Sequence, residues 1–199
     1  MPKQSMDFVP FIALTAVLGL AIIASLLPDQ KIGLYGSQHI HADFLVQIED
    51  QILDFSLPKY QSTNEHPRSP LVHLHDGNGN VIHIHATGIT WRQVFQALGF
   101  SLNASCIGTD TGNQYCTNAT QVFRTYVNNH YRADLSRALV RDLDRAVFVY
   151  YPRNEEHKLN KALRSVSIDA CIASQKCQER GMPEPEAGCI EGDCFAGEQ

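Results

Sequence analysis

The sequence predicts an α+β fold: a β-grasp-like mixed sheet with one packed helix, preceded by an N-terminal transmembrane helix and followed by a Cys-rich tail. Three observations carry this. Apolar and polar residues alternate with a period of two through much of the middle of the chain, the pattern of half-buried strands. Between those strands lies one clear amphipathic helix with its own start and stop signals. The two ends differ in composition from this middle, with an uncharged apolar run at one and Cys, Pro, Gly and Glu at the other. The 199 residues therefore divide into an anchor over 1–30, a linker over 31–38, an extracytosolic α+β domain over 39–152, and a charged helix with a disulfide-rich tail over 153–199.

The anchor rests on Phe8 to Leu27, twenty residues without a charge. As a helix that length spans the ~30 Å hydrocarbon core of a bilayer. A secretory signal has a shorter apolar core of ~7–15 residues and a small-residue cleavage site. The stretch AIIASLL at 21–27 supplies a poor one. The reading is an uncleaved single-pass anchor in the cytoplasmic membrane, with the lipid bilayer as partner of residues 8–27 and the C-terminal domain outside the cell. PDQKIGLYGSQ at 28–38 reads as linker.

The first strand runs from His41 to Glu49, with Phe44, Val46 and Ile48 on one face. Asp50-Gln51 is expected as its turn and Ile52 to Phe55 as the return. Pro58 to Pro70 reads as loop, since Pro67 and Pro70 block regular structure. Leu71 to Ala86 is the clearest hairpin, joined by Asp76-Gly-Asn-Gly-Asn80, residues that tolerate positive φ. Thr90-Trp-Arg-Gln93 forms a capping box, and Trp91, Val94, Phe95 and Leu98 make one apolar stripe ended by Gly99. Short strands follow around Cys106 and Cys116, then a hairpin turning at Asn128-Asn129. Arg145 to Tyr151 is a last, strongly apolar strand. Asp142-Leu-Asp144 is a turn before it with a surface role, Glu155 to Ser165 an exposed helix, and beyond Pro183 the tail is mostly loop.

Net charge is −5, and the 16 basic residues form no run, so nothing in the charge balance favours a nucleic-acid partner and none is expected. Six cysteines, Cys106, Cys116, Cys171, Cys177, Cys189 and Cys194, all follow the apolar stretch. None forms a C-x-x-C, so neither a thioredoxin-type motif nor a zinc ribbon is present. They read as local pairs, as disulfides in an oxidising compartment, with Cys106–Cys116 the best-marked pair.

Histidine supplies the candidate chemistry. Six of nine histidines form three His-x-His pairs: His39 and His41, His73 and His75, His83 and His85. On a strand, residues i and i+2 share a face. If the hairpin connector has odd length, His73 faces His83 and all four hairpin histidines share one face. An even connector scatters them. Gly77 and Gly79 suit the odd case. Neutral imidazole is the commonest metal ligand, and three nitrogens at ~2.0–2.1 Å leave a zinc ion one open position. Copper(II) suits the same donors. Asp43 continues the face of His39 and His41 as a ligand or as a group orienting one, and His66 lies in a loop that could reach over the site. No catalytic residue is assigned. Alternative readings are a pH-sensing or non-catalytic surface protein-interaction face, meeting an unidentified membrane or surface protein, and an exported thiol-disulfide exchange protein using the tail cysteines.

The stretches HIHADFLVQI, LDFSLPKYQ, HLHDGNGNVIHIHATGITWRQVFQALG, RDLDRAVFVYYP and ACIASQKCQERGMPEPEAGC together resemble an uncharacterised family of membrane-anchored, His-rich, Cys-tailed exported proteins of candidate-phylum bacteria and small archaea. Some members carry an automatic protein-disulfide isomerase label, which the missing C-x-x-C does not support here. The resemblance implies architecture and location rather than activity. Strand His-x-His with a third histidine is also similar to α-class carbonic anhydrases and cupins. The glutamate expected of a cupin is missing after both His41 and His85, and neither activity is carried over.

Overall fold

The computed structural model describes residues 31–63 and 66–183. The apolar stretch 8–27, Cys189 and Cys194 lie outside the described residues. Among the described residues no helix is long and apolar enough to cross a membrane.

The chain forms the expected mixed α+β body, with a multi-stranded sheet and a packed helix. The elements are β1 (Ile40–Ile48), β2 (Gln51–Ile52), β3 (Val72–His73), β4 (Val81–Ile84), α1 (Trp91–Ala97), β5 (Ser101–Leu102), β6 (Cys106–Gly108), β7 (Gln114–Cys116), β8 (Gln121–Val127), β9 (His130–Arg132), β10 (Arg145–Pro152), α2 (His157–Ser165) and α3 (Ala170–Ala173). The main sheet runs β3-β4-β1-β10-β8-β9, with β2 paired to β1. β1 and β10 are parallel at its centre, and their other neighbours are antiparallel. β5, β6 and β7 make a second small sheet, in which Cys106 lies opposite Cys116.

One face of the main sheet carries the larger core. Ala42, Phe44 and Val46 of β1, Ile82 and Ile84 of β4 and Phe148 of β10 pack there against Trp91, Val94 and Phe95 of α1. The capping box forms as read: the Thr90 amide donates to Gln93 Oε1 at 2.7 Å. Gly99 closes the helix at φ +85°, a conformation that costs glycine little.

Three details differ from the sequence reading. Ile48 pairs with Gln51, so the first turn is Glu49-Asp50 rather than Asp50-Gln51, with Glu49 at φ 54°. The helix near Glu155 is not an exposed one: Leu159, Ala162 and Val166 are buried against Leu45, Val147, Val149 and Tyr151 on the second sheet face. The apolar run in β10 is therefore covered on both sides, as in other strands near a parallel pair. Asp142 and Asp144 are more than a surface turn. Asp144 is buried and accepts from the Arg141 amide and Asn128 Nδ2, while Asp142 accepts from the His41 amide.

The hairpin connector has the odd parity. His73 pairs with His83, and the His85 amide donates to Leu71 O at 2.9 Å. Asp76 (φ 58°) and Gly77 (φ 68°) turn the chain left-handed. Gly79 is needed for space: a Cβ there would come within 2.3 Å of the Ser56 backbone nitrogen. Gln61 braces the turn, accepting from the Gly77 amide at 3.0 Å while donating to Phe55 O at 2.7 Å.

Candidate metal centre

Two registers bring the three His-x-His pairs together. His41 lies opposite His83 on the neighbouring strand, and His83 lies opposite His73 on the next. Directly opposed residues point to the same side of a sheet. His39 and His41 therefore share a face with all four hairpin histidines. The rings form one contiguous cluster: His39 lies 4.7 Å from His41 and 4.6 Å from His85, His41 4.5 Å from His83, His75 3.9 Å from His83, and His73 4.9 Å from His85, centroid to centroid. Tyr35, from the stretch read as linker, lies against His85 at 5.6 Å. That stretch is tied down by Gly36, whose amide donates to His85 O at 2.8 Å.

Within the cluster, one ring nitrogen each from His39, His41 and His83 lie within 4.8 Å of one another. Bonds of ~2.0–2.1 Å to a tetrahedral zinc require nitrogens about 3.4 Å apart, so modest side-chain rotation would close the set. His41 and His83 are buried and His39 is exposed. The triad is therefore held on its inner side by the sheet and open to water at His39.

The tautomers follow from the partners of the rings. A backbone carbonyl or a carboxylate only accepts. His73 Nδ1 is 3.0 Å from Ser69 O, and His75 Nδ1 is 2.5 Å from Asp76 Oδ2, so both rings carry their proton on Nδ1. His41 Nδ1 is 2.8 Å from Ser174 Oγ. Ser174 donates its own hydrogen to Asp142 Oδ1 at 2.6 Å, so its oxygen accepts from His41. In the neutral form of each ring the lone pair then sits on Nε2, a nitrogen able to ligate a metal. The order His41–Ser174–Asp142 also excludes a nucleophilic serine triad, in which the histidine itself would take the serine proton.

Asp142 further accepts from the His41 amide at 3.1 Å and from Lys176 Nζ. Burial pushes its carboxyl up, but the hydrogen bonds from Lys176, Ser174 and His41 outweigh this and hold it below the usual carboxylate range.

Asp43 shares the histidine face and is buried, with both oxygens engaged by the chain beyond α2. Oδ1 accepts from Ser167 Oγ at 2.5 Å and the Asp169 amide at 2.8 Å, and Oδ2 from the Ala170 amide at 3.1 Å. It fastens that segment over β1. His66 is exposed and lines a surface hollow with Pro58, Lys59 and Arg68. Two disulfides are formed, Cys106–Cys116 and Cys171–Cys177. Sequence reading missed Ser174, Ser69 and the role of Asp142. The D-x-D before β10 was visible but gave no hint of its partner, and Ser174 in ACIASQKC carries no signal at all.

No protein-family model matches the chain, and no curated protein or solved structure is a significant match to it.

Proposed function

We propose that this protein binds a transition-metal ion, zinc or copper, at the histidine cluster, with His39, His41 and His83 as ligands and His73, His75 and His85 completing the surrounding wall. One observation carries the reading: three imidazole nitrogens, from β1, from β4 and from the residue just before β1, fall within 4.8 Å of one another. Side chains on a polar sheet face diverge into water when nothing draws them together. Here three His-x-His pairs are held in register, and hydrogen bonds engage Nδ1 of the ligand His41 and of its neighbours His73 and His75. The exposed edge at His39 leaves a fourth position for water or a small ligand.

The same reading places the domain outside the cell, anchored through residues 8–27. The apolar stretch supports an anchor, and the disulfides are what an oxidising compartment favours. The parallel β1–β10 pair with α1 against one face supports a β-grasp-like body. The family resemblance supports the same architecture.

Metal content decides the function. Full-length chain, purified in detergent, stripped with chelator and titrated with zinc or copper(II), is expected to take up an ion. The His41→Ala/His83→Ala chain is expected to lose it. An absence of uptake by the wild-type chain, or uptake unchanged by the double substitution, would sink the reading.

A further inference from the structure

The two strands are not the whole of the site. His41, the buried ligand at its centre, donates from Nδ1 to Ser174 Oγ, in the chain beyond α2 that crosses back over β1. That segment is fastened at several points. Asp43 holds Ser167 and the Asp169 and Ala170 amides, and Arg145 donates to Ser167 O and Val166 O, each at 2.9 Å. The Cys171–Cys177 disulfide closes the turn that carries Ser174. Lys176 pairs with Asp142, which in turn holds the Ser174 hydroxyl. A serine on a loose tail would rotate its hydroxyl and either donate to or accept from an imidazole. This one is restricted to accepting, because its hydrogen is committed to a carboxylate.

We propose that Ser174 and Asp142 are positioning residues for the His41 ligand, fixing its Nδ1–H tautomer and ring orientation from the disulfide-closed turn Cys171–Cys177. The proposal rests on the metal reading. The chemistry is that of a carboxylate acting on a metal-bound histidine through one intervening hydroxyl. The Asp142 charge polarises the serine O–H, the serine oxygen becomes a better acceptor, and His41 becomes a better donor to the metal. The metal centre then depends on three separate parts of the chain: the strand pair β1 and β4, the turn before β10, and the tail turn.

Two measurements on the full-length chain in detergent test this. The first needs no metal. Long-range proton–nitrogen NMR of the imidazoles reports the His41 tautomer. The wild type is expected to show Nδ1–H with the lone pair on Nε2, and Ser174→Ala to show a mixture. Ser174→Thr keeps the hydroxyl and is expected to restore the single tautomer. The second is zinc affinity by chelator competition, with the visible spectrum of the cobalt(II)-loaded chain as a report on ligand geometry. Ser174→Ala is expected to weaken zinc about tenfold to a hundredfold and to alter the cobalt spectrum, and Ser174→Thr to recover both. A single His41 tautomer that persists in Ser174→Ala overturns the proposal even if zinc weakens, because the tail would then act only through packing. Unchanged zinc affinity in Ser174→Ala overturns it as well. A wild-type chain that takes up no zinc, copper or cobalt removes the metal reading, and the ligand role of His41 with it. Normal metal uptake beside an unperturbed variant removes only the proposal.

Discussion

On one face of the main sheet, Phe44, Ile82 and Phe148 meet Trp91 and Phe95 of α1 in a continuous apolar core. On the other face the same strands behave differently from one side to the other. Under α2, Leu45, Val147 and Val149 meet Leu159 and Ala162, again apolar. Toward β4 and β3 the face turns polar, with His41, Asp43, His83 and His73 all buried. The apolar face is held by area removed from water, which is non-directional and tolerates small shifts. The histidine half is held by directed hydrogen bonds: Ser174 to Asp142, Asp43 to the Ser167–Ala170 segment, His73 to Ser69 O. Such groups are costly to bury unless each finds its partner. The first face gives stability, and the second spends part of it on holding six imidazoles together.

The comparison can be broken most severely on the apolar side. Phe148→Ala is expected to cost about 3–5 kcal/mol in denaturant unfolding, equally with and without zinc. On the histidine side the loss should depend on metal. At zinc about a hundred times its Kd, the wild-type chain should gain about 2.7 kcal/mol, and His41→Ala/His83→Ala should gain none by thermal or denaturant unfolding. The disulfides sharpen the contrast, because their closed loops are similar, with separations of 10 and 6 residues. Opening either by double Cys→Ser substitution should cost about 2–3 kcal/mol. Only loss of Cys171–Cys177 should also weaken zinc. Equal zinc affinity in the two variants would argue that the tail turn and the site are independent. Thr90→Ala, which removes the cap of α1, should cost about 1 kcal/mol and leave zinc binding alone.

The smallest effect concerns Lys59 and Asp110, 2.7 Å apart and remote in sequence. The Lys59 hydrogen bond holds the Asp110 carboxyl below its ordinary value of 3.8. A depressed folded-state value contributes stability above the unfolded value and loses it as pH falls through the folded one. The difference in melting midpoint between wild type and Asp110→Asn is thus expected to be slight at neutral pH and to vanish well below pH 3.8. A difference that grew with acid would contradict the assignment.

Much of this was legible because it is local. The capping box at Thr90, the stop at Gly99, the turn at Asn128-Asn129 and the pairing of Cys106 with Cys116 each depend on a few neighbouring residues. The parity of the hairpin was also within reach, since Gly77 and Gly79 suit one connector better than the other. What was not legible came from distant parts of the chain. His41 sits 42 positions before its register partner His83, and nothing in either segment announces that β1 and β4 pair at that offset. Ser174 lies 133 positions from His41 and shares no pattern with it. Glu155 to Ser165 looked exposed because its polar residues dominate the count, yet Leu159 and Ala162 are enough to seat it on β10.

By itself, then, the sequence determined which residues could form strands, where the turns fall and that three histidine pairs each present one face, because alternation and turn chemistry act over a few residues. Only the tertiary structure decided that the three faces are the same face, that ring nitrogens of His39, His41 and His83 come within 4.8 Å of one another, and that the tail supplies the hydroxyl on His41. Those are matters of register and of long-range closure. Both are fixed by the packing of the whole sheet against α1 and α2, a sum of contacts that no local segment contains.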